Sequence, residues 1–254
     1  MSRSLIDELV ESARERARQI PERTLAELPE HPSFLEALRG KGALDVIAEY
    51  KQKSPSLGDI AKRNVTEQVR AYEGAGAAAL SVLTEPTRFR GSYDDLEAAT
   101  HTVAVPVLMK DFVVDPAQIR EAAYLGASAV LLIVRCLSPY ELSELAGVAR
   151  ELNLTPLVEC HDVSELASAL AIENAVIGVN NRDLDTLEID RTLAPRLLAD
   201  IPPDRVVVAE SGYLTAADVC DVRGIADAVL IGSALMKLDD PAPLIEQIHR
   251  EAPS

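Results

Sequence analysis

Eight short apolar runs, each closing on polar residues and followed by a helix-like stretch, constrain this chain more than any other feature. The runs are Asp45–Lys51, Ala77–Leu83, Ala104–Lys110, Ser128–Val134, Thr155–Glu159, Ala175–Asn180, Arg205–Glu210 and Asp227–Gly232. They recur at about the length of a βα unit and are continuously apolar, as parallel strands covered by helices are. Helix start signals stand between them. Ser138-Pro139-Tyr140-Glu141 and Thr215-Ala216-Ala217-Asp218 have capping-box spacing, and Asp162 with Glu165 is a weaker form. Gly76, Gly126 and Gly224 fall where a helix gives way to the next strand. The pattern predicts an α/β fold, a single (β/α)8 TIM barrel over residues 1–254; a doubly wound open sheet is the alternative. A chain of 254 residues matches the ~250 typical of one such barrel.

Residues 1–44 precede the first strand and read as an N-terminal helical extension. Leu5, Leu9, Ala13 and Ala17 recur at helical spacing, which predicts an amphipathic helix over Leu5–Ile20. Such a helix either caps the bottom of the barrel or crosses its top; the sequence leaves both open.

The balance of 41 acidic against 25 basic residues, a formal charge of −16, excludes nonspecific nucleic-acid binding, which rests on Lys and Arg neutralising phosphates. It also means that an anionic substrate needs cations concentrated locally. Cys136, Cys160 and Cys220 are scattered without metal-ligand spacing and read as reduced thiols. The N-terminal stretch lacks the apolar core of a signal peptide, and no run approaches the ~20 apolar residues of a membrane span. The expectation is a cytoplasmic protein, taken as a monomer, without a membrane or nucleic-acid partner.

In a barrel of this kind the active site lies at the C-terminal ends of the strands, so the polar residues ending each run are the informative ones. Strand side chains alternate between faces, which puts Glu49 with Lys51 on one side of the first strand. A buried ion pair is the plain alternative, but such pairs add little net stability. Lys110 ends the third run, Glu159 the fifth, Asn180 with Arg182 the sixth, and Glu210-Ser211-Gly212 the seventh. Gly232-Ser233 ends the eighth and opens a helix-like segment. Glycines at the ends of the last two strands, with a helix N-terminus beside them, suit a phosphate. Lys51, Lys110 and Arg182, with Lys53 nearby, supply cations; Glu49, Glu159 and Glu210 supply carboxylates. No metal-ligand cluster and no dinucleotide fingerprint is present. Taken alone, these residues describe an enzyme that handles a phosphosugar by acid–base chemistry.

Read as strings, the same segments resemble the indole-3-glycerol phosphate synthase family. They are IAEYKQKSPSLGDI (47–60), SVLTEPTRFRGSYDDL (81–96), PVLMKDFVVDPAQI (106–119), LVECHD (157–162), IGVNNRDLDTLEID (177–190), VAESG (208–212) and IGSALM (231–236). The leading amphipathic segment is also similar to that family's N-terminal extension. The resemblance implies a lyase of tryptophan biosynthesis acting on 1-(2-carboxyphenylamino)-1-deoxyribulose 5-phosphate, by ring closure, decarboxylation and dehydration, with no metal or organic cofactor. It implies Lys110 as the general acid for ring closure and Glu159 as the base for dehydration. Lys51 is then a second acid and anchor, and Glu49 its paired carboxylate. Asn180 and Arg182 orient the substrate, with Arg182 suited to the carboxylate, and Glu210 and Ser211 line the cleft. Ser54, Gly212, Gly232 and Ser233 hold the phosphate. A lysine acid works best with its pKa lowered, and repulsion between Lys51 and Lys110 across the barrel mouth is the expected cause. The rivals are a Schiff-base aldolase using Lys110 and a phosphosugar-binding protein without catalysis. A phosphoribosylanthranilate isomerase is less apt, because the first run carries no Cys.

Overall fold

The computed structural model describes residues 4–23, 28–40 and 42–250. The parts of the predicted extension at 1–3, 24–27 and 41, and the last four residues of the barrel span, lie outside these. Eight parallel strands close into a barrel: β1 (Asp45–Tyr50), β2 (Ala79–Leu83), β3 (Val107–Lys110), β4 (Ala129–Ile133), β5 (Thr155–Cys160), β6 (Val176–Asn180), β7 (Val207–Glu210) and β8 (Ala228–Ile231). Each pairs with its sequence neighbours, and β8 returns to β1 through Asp45 opposite Ala228 and Ile47 opposite Leu230. Closure rules out the open sheet. Most strands are up to three residues shorter than the apolar runs, since Ala104–Pro106 and Arg205–Val206 lead into the ladder as loop, while β5 runs one residue further, to Cys160.

Period-two alternation divides the core in two. Ile47, Ala79, Leu108, Ala129, Leu131, Leu157, Val176, Val208, Ala228 and Leu230 face inward and fill the barrel. The intervening residues, such as Val46, Ala48, Leu80, Met109, Leu132 and Val179, face outward under the helices. Both faces are therefore apolar, which is why the runs read as continuous. The covering helices are α3 (Val65–Gly74), α4 (Tyr93–Thr100), α5 (Pro116–Tyr124), α6 (Pro139–Glu151), α7 (Val163–Leu170) and α8 (Leu193–Leu198), then α9 (Ser233–Lys237) and α10 (Ala242–Arg250) after β8. The capping box at Ser138 and Glu141 forms as read. The box at Thr215 and Asp218 also forms, but it opens a 3-10 helix over Ala216–Val222 instead of an α-helix. Asp162 caps α7 alone, because Glu165 turns back to His161 and Arg135. Gly76, Gly126 and Gly224 each take a positive φ, the conformation that reverses the chain into the next strand.

The extension uses both ends of the barrel. Its first helix, α1 (Leu5–Ala17), stops three residues before the predicted end and lies across the top. Arg16 makes a bidentate pair with Asp111, directly after β3, at 2.7 and 2.8 Å. Asp111 also accepts from Thr84 Oγ1 and from the Phe112 N–H, so a fully buried carboxylate is satisfied on both oxygens. The bottom is closed by a second helix, α2 (Phe34–Leu38), whose Phe34 and Leu38 are buried against the lower inward-facing layer. Between the two, Arg23 pairs with Glu121 on α5 and lies over the Tyr124 ring.

Arg16→Ala leaves Asp111 buried with its charge uncompensated. We expect a loss of ~3 kcal/mol, at the lower edge for a broken buried pair because Thr84 and Phe112 still donate. Denaturant titration measures the loss, and hydrogen exchange should report faster opening of residues 5–17 than of β1.

Candidate active site

A cavity of about 620 Å³ opens at the C-terminal ends of the strands, within the range of small-molecule sites. Its floor is charged, because the last inward-facing position of several strands is polar: Glu49 on β1, Lys110 on β3, Glu159 on β5 and Asn180 on β6. Lys110 is the centre. Its Nζ lies 2.5 Å from Glu210 Oε2, 3.7 Å from Glu159 Oε2 and 3.9 Å from Glu49 Oε2. Lys51 Nζ lies 2.6 Å from Glu49 Oε1, so parity correctly put this pair on one side, and Glu49 stands between the two lysines.

That arrangement reverses the expected electrostatics of Lys110. Burial alone would lower its pKa, but the charges of Glu210, Glu159 and Glu49 outweigh burial and raise it. The expected repulsion from Lys51 does not govern, because Glu49 screens one ammonium from the other. Lys110 therefore stays protonated across the neutral range, which makes it a poor amine nucleophile and weakens the aldolase alternative.

The carboxylates are not equivalent. Burial pushes both Glu159 and Glu210 upward. For Glu159 that is outweighed by His161, whose Nε2 lies 3.3 Å from Oε1, and by Lys110, and its pKa falls to about 2. Glu210 has Lys110 but also faces the negative charge of Glu159, and burial prevails, raising it to about 7. Two carboxylates sharing one ammonium thus divide: Glu159 is the ionised partner, and Glu210 the one that takes a proton first.

Two glycines make room for this cluster. A Cβ on Gly178, in β6, would collide with Glu210 Oε1, and one on Gly232, after β8, with Glu49 Oε1. Glu210 was expected to line the cleft; it lies instead wholly buried and outside the lining, drawn into the slot over Gly178 by Lys110. Gly232 was expected to serve the phosphate, yet its missing side chain is required by Glu49 as well.

The remaining expected residues meet in the cavity wall: Lys51, Ser54, Asn180, Arg182, Ser211, Gly212, Gly232 and Ser233. Lys53 falls outside the lining. Ser54 Oγ accepts from the Leu57 N–H at 3.1 Å, which leaves its own hydrogen to donate. Ser211 and Gly212 both have positive φ and make a sharp turn at the cavity wall. Arg182 donates to the Leu187 carbonyl at 2.7 Å, and Asn180 Oδ1 accepts the Arg182 N–H.

Some wall residues carried no polar signal in the sequence. Leu5 and Leu9 from α1, Leu57, Phe89, Phe112, Leu131, Leu184 and Leu187 supply an apolar part of the wall. Nothing in the local pattern of the sequence distinguished them from core. Asn181 and Tyr213 were also passed over. Asn181 Nδ2 donates to the Ser211 carbonyl and to Tyr213 Oη, and its Oδ1 accepts the Ala194 N–H, pinning the loop after β6 to the turn after β7. Tyr50, by contrast, faces outward and donates to the Arg63 carbonyl.

Gly178→Ala should lower turnover at least tenfold while the chain still folds, because the new methyl displaces Glu210 from Lys110. Gly147→Ala, in the open middle of α6, is the control and should raise stability by ~0.5–1 kcal/mol. Equal turnover in the two variants would mean that the Glu210 slot is immaterial.

Relatives agree with this architecture. The family model described as "Indole-3-glycerol phosphate synthase" matches residues 6–248. The indole-3-glycerol phosphate synthase of Opitutus terrae is 43% identical over 98% of this chain and 99% of its own. That of Deinococcus radiodurans is 48% identical over 84% of this chain and 82% of its own. Among solved structures, tryptophan synthase from M. tuberculosis superposes with a TM-score of 0.64 at 15% identity, covering 89% of this chain and 100% of that one. A likeness that distant speaks for the barrel alone. On the family model and these relatives, the chain belongs to the indole-3-glycerol phosphate synthase family.

Proposed function

We propose that Lys110 and Glu159 are the acid and base with which this barrel converts 1-(2-carboxyphenylamino)-1-deoxyribulose 5-phosphate to indole-3-glycerol phosphate. The activity follows from family membership: the chain is a carboxy-lyase of tryptophan biosynthesis. The assignment of roles rests on one observation, the Lys110 ammonium held 3.7 Å from the Glu159 carboxylate at the cavity floor.

The apolar part of the wall suits the aromatic ring, and the Ser54, Ser211-Gly212 and Gly232-Ser233 part suits the phosphate. The first turn of α9 adds N–H groups without an i−4 carbonyl partner inside the helix. Between them, the ring carbon bearing the carboxylate attacks the sugar ketone. As that carbonyl breaks, the ketone oxygen takes a proton from the Lys110 ammonium. A raised pKa makes Lys110 a reluctant acid toward a neutral ketone, but the developing alkoxide is far more basic and drives the transfer. Carbon dioxide then leaves and its bonding electrons restore the aromatic ring. In the last step the new hydroxyl departs as water with a proton from Lys51, while Glu159 takes a ring proton. Neither oxygen of Glu159 has an aligned hydrogen-bond donor among the described residues, so a lone pair is available. Arg182 is the cation for the substrate carboxylate and Asn180 fixes its approach. Glu210 serves by holding Lys110, and Glu49 by holding Lys51.

We further take the whole chain as one domain, since α1 supplies part of the cavity wall, and as a monomer in the cytoplasm. No described helix is long and apolar enough to cross a membrane.

A fluorescence assay of indole-3-glycerol phosphate formation tests the roles. Lys110→Ala and Glu159→Gln should each lower kcat by ~10²–10⁴-fold, the usual worth of a positioned acid or base. Activity kept by Lys110→Ala moves the acid to Lys51; activity kept by Glu159→Gln removes it as base. Lys110→Ala also takes from Glu159 and Glu210 the ammonium they share, which raises their folded-state pKa values. Its deficit in Tm should therefore grow as pH rises through neutrality and shrink toward acid, where the carboxyls are protonated in both states.

A further inference from the structure

The buried cluster holds three glutamates, and the sequence offered two lysines to balance them. Glu49 has Lys51 at 2.6 Å and Glu210 has Lys110 at 2.5 Å. Glu159 shares Lys110 only at 3.7 Å, and the nearer cationic centre is the imidazole of His161, two residues along the same strand end. His161 is buried to 2% side-chain exposure. Its Nε2 lies 3.3 Å from Glu159 Oε1 and its Nδ1 lies 3.1 Å from Glu165 Oε2. A neutral imidazole has one N–H and one lone pair, so either tautomer would turn a lone pair on one of these carboxylates. Nε2 and Oε1 are not aligned as a hydrogen bond, so that pairing is one of charge, and only the imidazolium presents positive charge to both carboxylates.

We infer that His161 is a positioning residue of this site: held as an imidazolium between Glu159 and Glu165, it aims the Glu159 carboxylate at the cavity and keeps it free of a proton. The inference rests on the reading of Glu159 as base. His161 does not itself line the cavity, and its effect passes through Glu159, which does.

The holding structure continues beyond the ring. The His161 N–H donates to Glu165 Oε2 at 2.7 Å, and Arg135 Nε donates to Glu165 Oε1 at 2.7 Å. Arg135 also reaches Asp183 at 3.2 Å, and Asp183 Oδ1 accepts the N–H groups of Asp185 and Thr186. This loop carries Leu184 and Leu187 into the cavity wall. The base is thus tied, through His161, Glu165 and Arg135, to the loop that supplies Leu184 and Leu187 to the cavity wall. The charged and titratable groups around the ring are Glu159 on β5, Asp162 and Glu165 at the start of α7, and Arg135 with Cys136 after β4. Lys110 on β3 and Asp183 with Asp185 after β6 complete the set. Burial opposes charge on the ring, but the two flanking carboxylates outweigh it and raise His161 to about 9.

Two measurements test this. In the wild-type protein, the ring nitrogens of His161, observed by NMR, should both carry protons at neutral pH and titrate well above the ordinary histidine range. A neutral ring at that pH overturns the inference whether or not any variant folds. Second, His161→Gln keeps the size of the ring but not its charge. Its kcat should fall about tenfold with KM little changed. Without the cation the Glu159 pKa rises, so the acid limb of the kcat profile should move up by about one unit or more. Glu165→Gln should move it the same way by less. A folded His161→Gln with the wild-type profile overturns the inference. Beside it, an inactive Glu159→Gln leaves the reading of the base intact, and an active one overturns both.

Discussion

Three carboxylates converge on one ammonium at the mouth of this barrel, and each charge costs several kcal/mol to take out of water. Lys110 offsets that cost because Glu210, Glu159 and Glu49 lie within 3.9 Å of it, and together with Lys51 and His161 it lets them sit close to one another. Such a cluster cannot be relaxed one residue at a time. It fixes the protonation of Lys110, separates the behaviour of Glu159 from that of Glu210, and sets which side chains neighbouring strands can carry. The absence of a Cβ at Gly178 and Gly232 follows from it directly, since each glycine leaves the space a carboxylate occupies.

The cluster also explains how an acidic protein makes a site for a substrate with two anionic groups. With a formal charge of −16, an open ring of glutamates would repel phosphate and carboxylate. Here the glutamates are each set against a cation, Lys51, Lys110 or His161, and Lys51, Lys110, Arg182 and the Ser54, Ser211 and Ser233 side chains share the cavity lining with Glu49 and Glu159. The carboxylates act on the cations more than on the substrate. Arg16 and Asp111 repeat the device one residue after Lys110: a buried carboxylate, fully satisfied, ties α1 over the same cavity that the charged floor supports from below.

The barrel was legible because its signal is repeated. Eight apolar runs with helices between them survive the misplacement of any single boundary, and the strand ends that were trimmed, at Ala104–Pro106 and Arg205–Val206, did not alter the count. The polar residues closing each run were legible too, since parity along a strand is a local property: Glu49 with Lys51, and Asn180 with Arg182, meet in the cavity lining as read. The apolar half of the cavity was not legible, because Phe89, Phe112 and Leu184 look like any core residue until the loops are in place. Nor was the side taken by α1, for an amphipathic stripe states that a helix is covered and not by what; Arg16 meeting Asp111 decided it.

What the sequence determined by itself was therefore the one-dimensional part: which residues are strand, which face each takes, and which charged groups stand at the C-terminal rim. Which charge meets which was decided only by closure of the barrel. Glu49 lies beside Lys51 in sequence but screens it from Lys110; Glu210 is a hundred residues from the ammonium it holds. The sign of the shift on Lys110 depended on those cross-barrel distances. Coulomb interaction falls with separation in space, and separation along the chain carries no information about it until strands far apart in sequence are brought side by side.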